Sequence, residues 1–311
     1  MSFAEVLSAT LPVYLTMLLG AVLRWTRLLP HEADKGIMSL CVRVFTPCLA
    51  FERIVGNPAL NDARQTFLAA AVGFSLVAVG MLVCYSTALL IGMKRGEGSR
   101  TFALATGLQN YGFVAIPVVE ALFGKGVIGV MFTFTLGVEL SLWIAGVGLL
   151  TGLGKAPWRH AINAPVISIV LALVLHYAGA GPHVPQMVHS LIGPLGACAI
   201  PLSVVLIGAS IGDLVGTERI IKRVALASPL LRFCVLPFGF FLCARYLPVT
   251  DDLKRILCVQ GSMPSAVFTI VVARMYGGHP ATAVQVVLAT TLVSLVATPL
   301  LLSWGLRWVG L

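Results

Sequence analysis

Apolar runs of about 20 residues recur from one end of this 311-residue sequence to the other. That is the length a helix needs to cross the hydrocarbon core of a bilayer. Backbone in lipid must satisfy its own hydrogen bonds, so such runs read as helices. Ten spans emerge, near 3–25, 36–56, 65–93, 101–123, 126–151, 161–179, 185–211, 219–247, 253–276 and 280–306. Hydrophobic residues make up 58% of the chain and charged residues 11%, too few polar groups to cover a core this size in water. The expectation is an all-α polytopic membrane protein with short loops and no soluble domain.

The net charge of +9 is spread through those loops, without the basic stretches that would suit nucleic acid. It serves better to orient the chain. With the N-terminus outside, inner loops carry Arg24, Arg27, Lys35, Lys94, Arg95, Arg100, Lys155, Arg159, Arg219, Lys222, Arg223 and Arg274. The outer side carries seven basic residues, with the 245–255 loop dissenting, while Arg43 and Arg232 fall within spans. Inner loops accumulate Lys and Arg, so both termini are expected outside. The N-terminus lacks a signal-peptide pattern and is expected to stay as the first span. Seven cysteines lie in or beside apolar runs with no C-x-x-C pair, which reads as small buried residues and not as a disulfide or zinc framework.

The spacing of prolines points to a duplication. Pro12 and Pro165 lie 153 residues apart, Pro47 and Pro201 lie 154 apart, and the pairs Phe123-Gly124 and Tyr276-Gly277 lie 153 apart. A unit of about 153 residues holds five spans. Five is odd, so the second copy runs through the membrane inverted, as in many secondary transporters. The two units are 1–155 and 156–311.

In "TGLQNYGFVAIPVVEALFGKG", residues 106–126, the polar Gln109, Asn110 and Tyr111 interrupt an apolar span, and Pro117 follows. The repeat offset carries "QNYG" onto Ser262, Met263, Pro264 and Ser265. Prolines remove an N–H and disfavour helix at the residue before them, so each is expected to break its span. Irregular backbone at membrane depth is tolerated where it lines a cavity or is buried in protein. Half-helix N-termini offer unpaired N–H donors and partial positive charge, a cradle for a carboxylate. These eight residues are the expected substrate site, where the fourth and ninth spans cross near the midplane.

"NYGFVAIPVVEALFG", "IPLSVVLIGASIGDL" and "MPSAVFTIVVARMYGGHPATAVQVVLATTLVSLVATPLLL" resemble segments of the auxin efflux carrier family. The resemblance implies ten helices in two inverted five-helix repeats, with broken helices 4 and 9 crossing. It implies a scaffold of helices 1, 2, 6 and 7, a moving transport domain of helices 3–5 and 8–10, and a homodimer working by an elevator movement. It also implies an organic anion as substrate, a mono- or dicarboxylate such as malate or malonate or an auxin-like acid, with Asn110, Pro117 and Pro264 facing it. Ala115 stands where the family commonly has glycine, and the long central loop of plant members is absent, as in a compact carrier of a bacterial inner membrane.

Among the ionisable groups within spans, Glu139, Arg232 and Arg43 stand out for lying away from the span ends. Glu139 could carry a coupling proton, or form a buried pair with Arg232 or bond to backbone. Arg43 could attract the anion or snorkel to the inner surface. Gly208 and Gly212 have the spacing of tight helix packing. No nucleophile–base set, metal cluster or phosphate loop is visible, so no catalysis, metal or cofactor is expected. The rival readings are a receptor that kept the carrier fold and an intramembrane enzyme.

Overall fold

The computed structural model describes residue 1 and residues 3–94, 96–152, 161–214 and 221–311. Arg95, Lys155, Arg159 and Arg219 of the inner-loop charges, and the 155/156 boundary between the two units, lie outside the described residues. The helices in chain order are α1 (Phe3–Trp25), α2 (His31–Leu40), α3 (Thr46–Ile54), α4 (Ala63–Leu90), α5 (Ser99–Gly107), α6 (Ala115–Phe123), α7 (Val127–Ser141) and α8 (Gly148–Thr151). There follow α9 (Ala164–Tyr177), α10 (Gln186–Ala197), α11 (Ala199–Leu214), α12 (Lys222–Leu230), α13 (Leu236–Tyr246), α14 (Asp251–Ser262), α15 (Phe268–Met275) and α16 (Pro280–Val309).

Among the described residues, six helical stretches are long and apolar enough to cross a membrane: α1, α4, Val127–Thr151, Gln186–Leu214, Lys222–Tyr246 and α16. The helix α9 is apolar but has 14 residues, about 21 Å at 1.5 Å per residue. Solvation is inverted relative to a water-soluble protein. Leu15, Leu18, Leu292 and Val296 face outward, whereas Thr10, Thr133, Ser203, Thr290 and Ser294 are buried. Lipid tails are as apolar as leucine, so polar side chains turn inward: Thr10 and Thr133 bond carbonyls of their own helices, while Thr290 and Ser294 also accept from other segments.

Several long stretches are not regular. Residues Cys41–Phe45 join α2 to α3 through a π turn, and Leu231–Val235 join α12 to α13 in the same way. Pro47 and Pro237 each sit two residues beyond these turns. A proline ring collides with the carbonyl four residues back and leaves it unbonded, and an extra residue in the turn makes room. A third π turn, Leu142–Val147, links α7 to α8 without a proline.

Helices pack as closely as their backbones allow. Along α1 and α11, a Cβ on Gly208 would lie 1.8 Å from the Met17 carbonyl oxygen, and one on Gly20 would lie 2.0 Å from that of Val205. Here Gly208 and Gly212 do what their spacing suggested, since Gly212 meets Ala21. At the C-terminal end of α1, Arg24 is buried and bonds Asp34 of α2 at 2.5 Å and Asp213 of α11 at 3.1 Å. It is therefore a structural cation shared by three helices and not a free loop charge. The α4/α7 pair is as close, with a Cβ on Gly137 falling 1.8 Å from the Ala70 carbonyl oxygen.

Replacing Gly208 with leucine would force α1 and α11 apart, at a cost of about 2–3 kcal/mol. The purified Gly208→Leu protein is expected to melt well below the parent. Gly36→Ala, where nothing lies within 4 Å of a new Cβ, is expected to melt at or above it. Equal melting of the two variants would refute the close contact.

Candidate functional site

At the ends of α5 and α14 the chain leaves the helix and becomes extended. Leu108 has φ −94° and ψ 111°, and Met263 has φ −79° and ψ 147°. The two extended pieces pair antiparallel. Asn110 N donates to the Pro264 carbonyl at 2.7 Å, Ala266 N donates to the Leu108 carbonyl at 3.0 Å, and Gln109 stands opposite Ser265. Each break thus supplies backbone partners that the other lacks, which removes the main cost of irregular chain among packed helices.

The two prolines act differently. Met263 is extended, as a residue before proline prefers, and Pro264 ends α14. Pro117 is the third residue of α6, where an N–H would have no intrahelical partner in any case. Ile116 before it stays helical and donates to the Gly112 carbonyl at 2.8 Å. The expectation that Pro117 breaks its span is corrected: the interruption lies upstream, between Leu108 and Val114.

Side chains lock the crossing. Gln109 Nε2 donates to Gln260 Oε1 at 3.2 Å, and Gln260 Nε2 donates to the Tyr111 carbonyl at 3.0 Å. Asn110 Oδ1 accepts from Val114 N at 3.3 Å and so caps the start of α6. Its Nδ2 donates to no protein group among the described residues. Gln109 Oε1 and Ser265 Oγ are buried without partners. Ser265 N donates to Thr290 Oγ1 at 3.2 Å, tying α16 to the crossing. Gln109, Ser262, Met263 and Ser265 have no exposed surface and Asn110 is 6% exposed, whereas Tyr111, Gly112, Phe113 and Pro117 are partly exposed, so the centre of the crossing is buried and its edge along 111–117 is not.

Glu139 and Arg232 are not paired with each other, which corrects one of the expectations for Glu139. Near the end of α7, Glu139 accepts from the Tyr111 hydroxyl at 2.6 Å, Trp143 Nε1 at 3.0 Å and Asn163 Nδ2 at 3.4 Å. It therefore joins α7 to the crossing, to the π turn that follows α7 and to the N-cap of α9. Arg232 lies on the π turn between α12 and α13 and bonds carbonyls at the end of α14. The two residues serve opposite sides of the crossing, so neither is in place for the other. Arg43 is on the exposed face of the first π turn, away from this buried cluster.

Sequence reasoning missed Gln260, Thr290 and Thr298. A signal for Gln260 was available: "QGSMPS" places a glutamine just before the second break, much as Gln109 begins the first. Thr290 and Thr298 sit in a long apolar helix, and only the fold reveals that they reach the crossing. An open groove of about 300 Å³ lined by Phe233, Phe238, Phe241 and Trp304 is almost wholly apolar, a lining that suits lipid tails and not an anion.

Comparison with known proteins gives two findings. The family model described as "Membrane transport protein" matches residues 5–152 and 148–302. "Uncharacterized transporter MJ1031" of Methanocaldococcus jannaschii is 21% identical over 309 residues, covering 97% of this chain and 98% of that protein.

Proposed function

Since the chain belongs to the membrane transport protein family of auxin efflux carriers, and is accordingly an integral membrane transporter and not a member of an enzyme family, we propose that it is a secondary carrier for a small organic anion. A mono- or dicarboxylate such as malate or malonate, or an auxin-like acid, binds where the two extended breaks cross. The observation that carries this reading is the buried crossing itself, with the Asn110 amide group free to donate beside the start of α6. Asparagine offers donors without burying a full charge in the empty site, and a half-helix N-terminus adds positive field.

The architecture proposed is ten spans in two inverted five-helix repeats. They are α1, α2–α3, α4, α5/α6 and α7–α8, then α9, α10–α11, α12–α13, α14/α15 and α16. The packing supports it. Swapping the repeats turns the α1/α11 contact into the α9/α3 contact, and the α4/α7 contact into that of α12 with α16, and all four are principal pairings. Spans 1, 2, 6 and 7 pack mainly on one another, as do the remaining six. This supports a scaffold and a transport domain sliding past each other as an elevator; the homodimer and the bacterial inner membrane are carried by the family resemblance alone. A crossing whose centre is buried suits alternating access, since movement must open it to one side at a time. Tyr111 and Glu139 belong to the transport domain and Asn163 to the scaffold, so the Glu139–Asn163 bond breaks when the domains slide. That position suits Glu139 for carrying a coupling proton.

In proteoliposomes, Asn110→Asp keeps an acceptor to cap α6 but loses the two donors and gains charge. Affinity for the transported anion should fall about 10- to 150-fold or more, the loss of one bond to a charged group, with melting little changed. Gln186→Glu, on the exposed first turn of α10, is the control. Unaltered binding by folded Asn110→Asp would exclude this site.

For Glu139, the expected outcome of Glu139→Gln is loss of stimulation by an imposed pH gradient with binding retained. Adding Arg232→Leu should not repair the variant. Retained stimulation rules out the proton role.

Orientation is open to labelling in a background lacking the exposed Cys198 and Cys234. With both termini outside, a membrane-impermeant thiol reagent should modify His183→Cys on intact cells and Glu97→Cys only after permeabilisation. The reverse pattern inverts the topology.

A further inference from the structure

The last carbonyls of a helix have no partner within it, and the end carries partial negative charge. In carriers with broken helices, such ends characteristically hold a free cation such as sodium. At the end of α14, four consecutive carbonyls are instead held by side chains. Arg232 Nε donates to the Met263 carbonyl at 2.8 Å, and its Nη2 donates to those of Gln260 at 3.0 Å and Gly261 at 3.3 Å. Thr298 Oγ1 donates to the Ser262 carbonyl at 2.7 Å.

The guanidinium is fully buried, and among the described residues no carboxylate lies within 4.0 Å of it. A buried charge normally requires a countercharge. Here carbonyl dipoles provide it, together with the face of Phe240 at 5.8 Å from the guanidinium carbon. This is the environment a desolvated monovalent cation seeks: several hard oxygens and no net negative ligand.

We infer that Arg232 is a tethered cation occupying the carbonyl site at the end of the α14 half-helix, so that this site takes up no coupling metal ion. The opposite half-helix is built otherwise. The Ala105, Thr106 and Gly107 carbonyls at the end of α5 receive no side-chain donor among the described residues, and Gly107 packs on the Met81 backbone. On the proposed repeat, the position matching Arg232 is Val79, which is 56% exposed on α4. The fixed charge is therefore a feature of one repeat, and it places a permanent positive centre behind the crossing. That centre also suits an anionic substrate, a consequence that rests on the proposed function, whereas the filling of the carbonyl site does not.

The test needs no substrate. Melting of the purified full-length protein is measured in choline, sodium, potassium and methylguanidinium chloride at equal ionic strength. The parent should melt at one temperature in all four. Arg232→Ala should melt at least about 5 °C lower in choline and recover part of the loss in sodium or methylguanidinium, which enter the vacated site. Arg232→Lys, which keeps a tethered charge, should not respond to the salt. A parent stabilised by sodium over choline overturns the inference. So does an Arg232→Ala protein that no small cation restores, or an Arg232→Lys protein that responds to salt as alanine does. If the alanine variant yields no folded protein in any of the salts, the inference fails as well, because a merely structural arginine would give that result. A parallel uptake assay with labelled malonate keeps the two readings apart. Absence of uptake by the parent counts against the proposed substrate class and leaves the melting result standing.

Discussion

Every peptide group in a lipid-spanning segment must be bonded by protein, because hydrocarbon supplies no replacement for water. Two stretches of this chain give up helical bonding in the middle of the molecule, and neither could do so alone. Leu108 and Asn110 leave one carbonyl and one amide unmet, and Ala266 and Pro264 supply the complementary pair. Gln260, Asn110, Arg232, Thr290 and Thr298 meet further groups there, while Gln109 Oε1, Ser265 Oγ and Arg232 Nη1 stay buried without partners. Most of the polar residues buried near the centre are thus accounted for by two breaks in regular structure. Their scarcity elsewhere follows from the same rule.

How much of this was legible beforehand depended on the range of the interaction that decides each feature. Apolar runs and short loops are local, and they mark an integral membrane protein from the sequence alone. The first break could be suspected from "QNYG" because polar residues in an apolar span demand partners. Its cause was misjudged, since Pro117 is conspicuous in sequence but falls in a helical first turn where its ring costs nothing. Pro264 is equally conspicuous and does end its helix. The difference lies in where each helix resumes, which is settled by caps such as Asn110 and not by proline itself.

Ionisable residues were the least legible. Glu139 and Arg232 are the obvious couple in a sparsely charged interior, yet each has a set of neutral partners. Charge counting assumes that a buried ion seeks its opposite. Dipoles at helix ends and converging neutral donors serve as well when geometry presents several at once. Thr298 and Thr290 illustrate a related gap, since threonine in a long apolar helix is common and only its depth relative to the crossing gives it a partner.

The antiparallel pairing of Asn110 with Pro264 joins segments that leave the ribosome at widely separated times. At about 5–20 residues per second, the roughly 150 residues between them take about 10–30 seconds to synthesise. Through that interval the first half of the protein, already delivered to the bilayer, has no Pro264 to receive its Asn110 amide and no Ala266 to meet its Leu108 carbonyl. The nascent chain must therefore keep this region near water, lipid headgroups or the insertion machinery, or else close it temporarily into continuous helix. Maturation of the transporter is in this sense a late event, completed when the segment carrying Pro264 arrives to partner the one carrying Asn110.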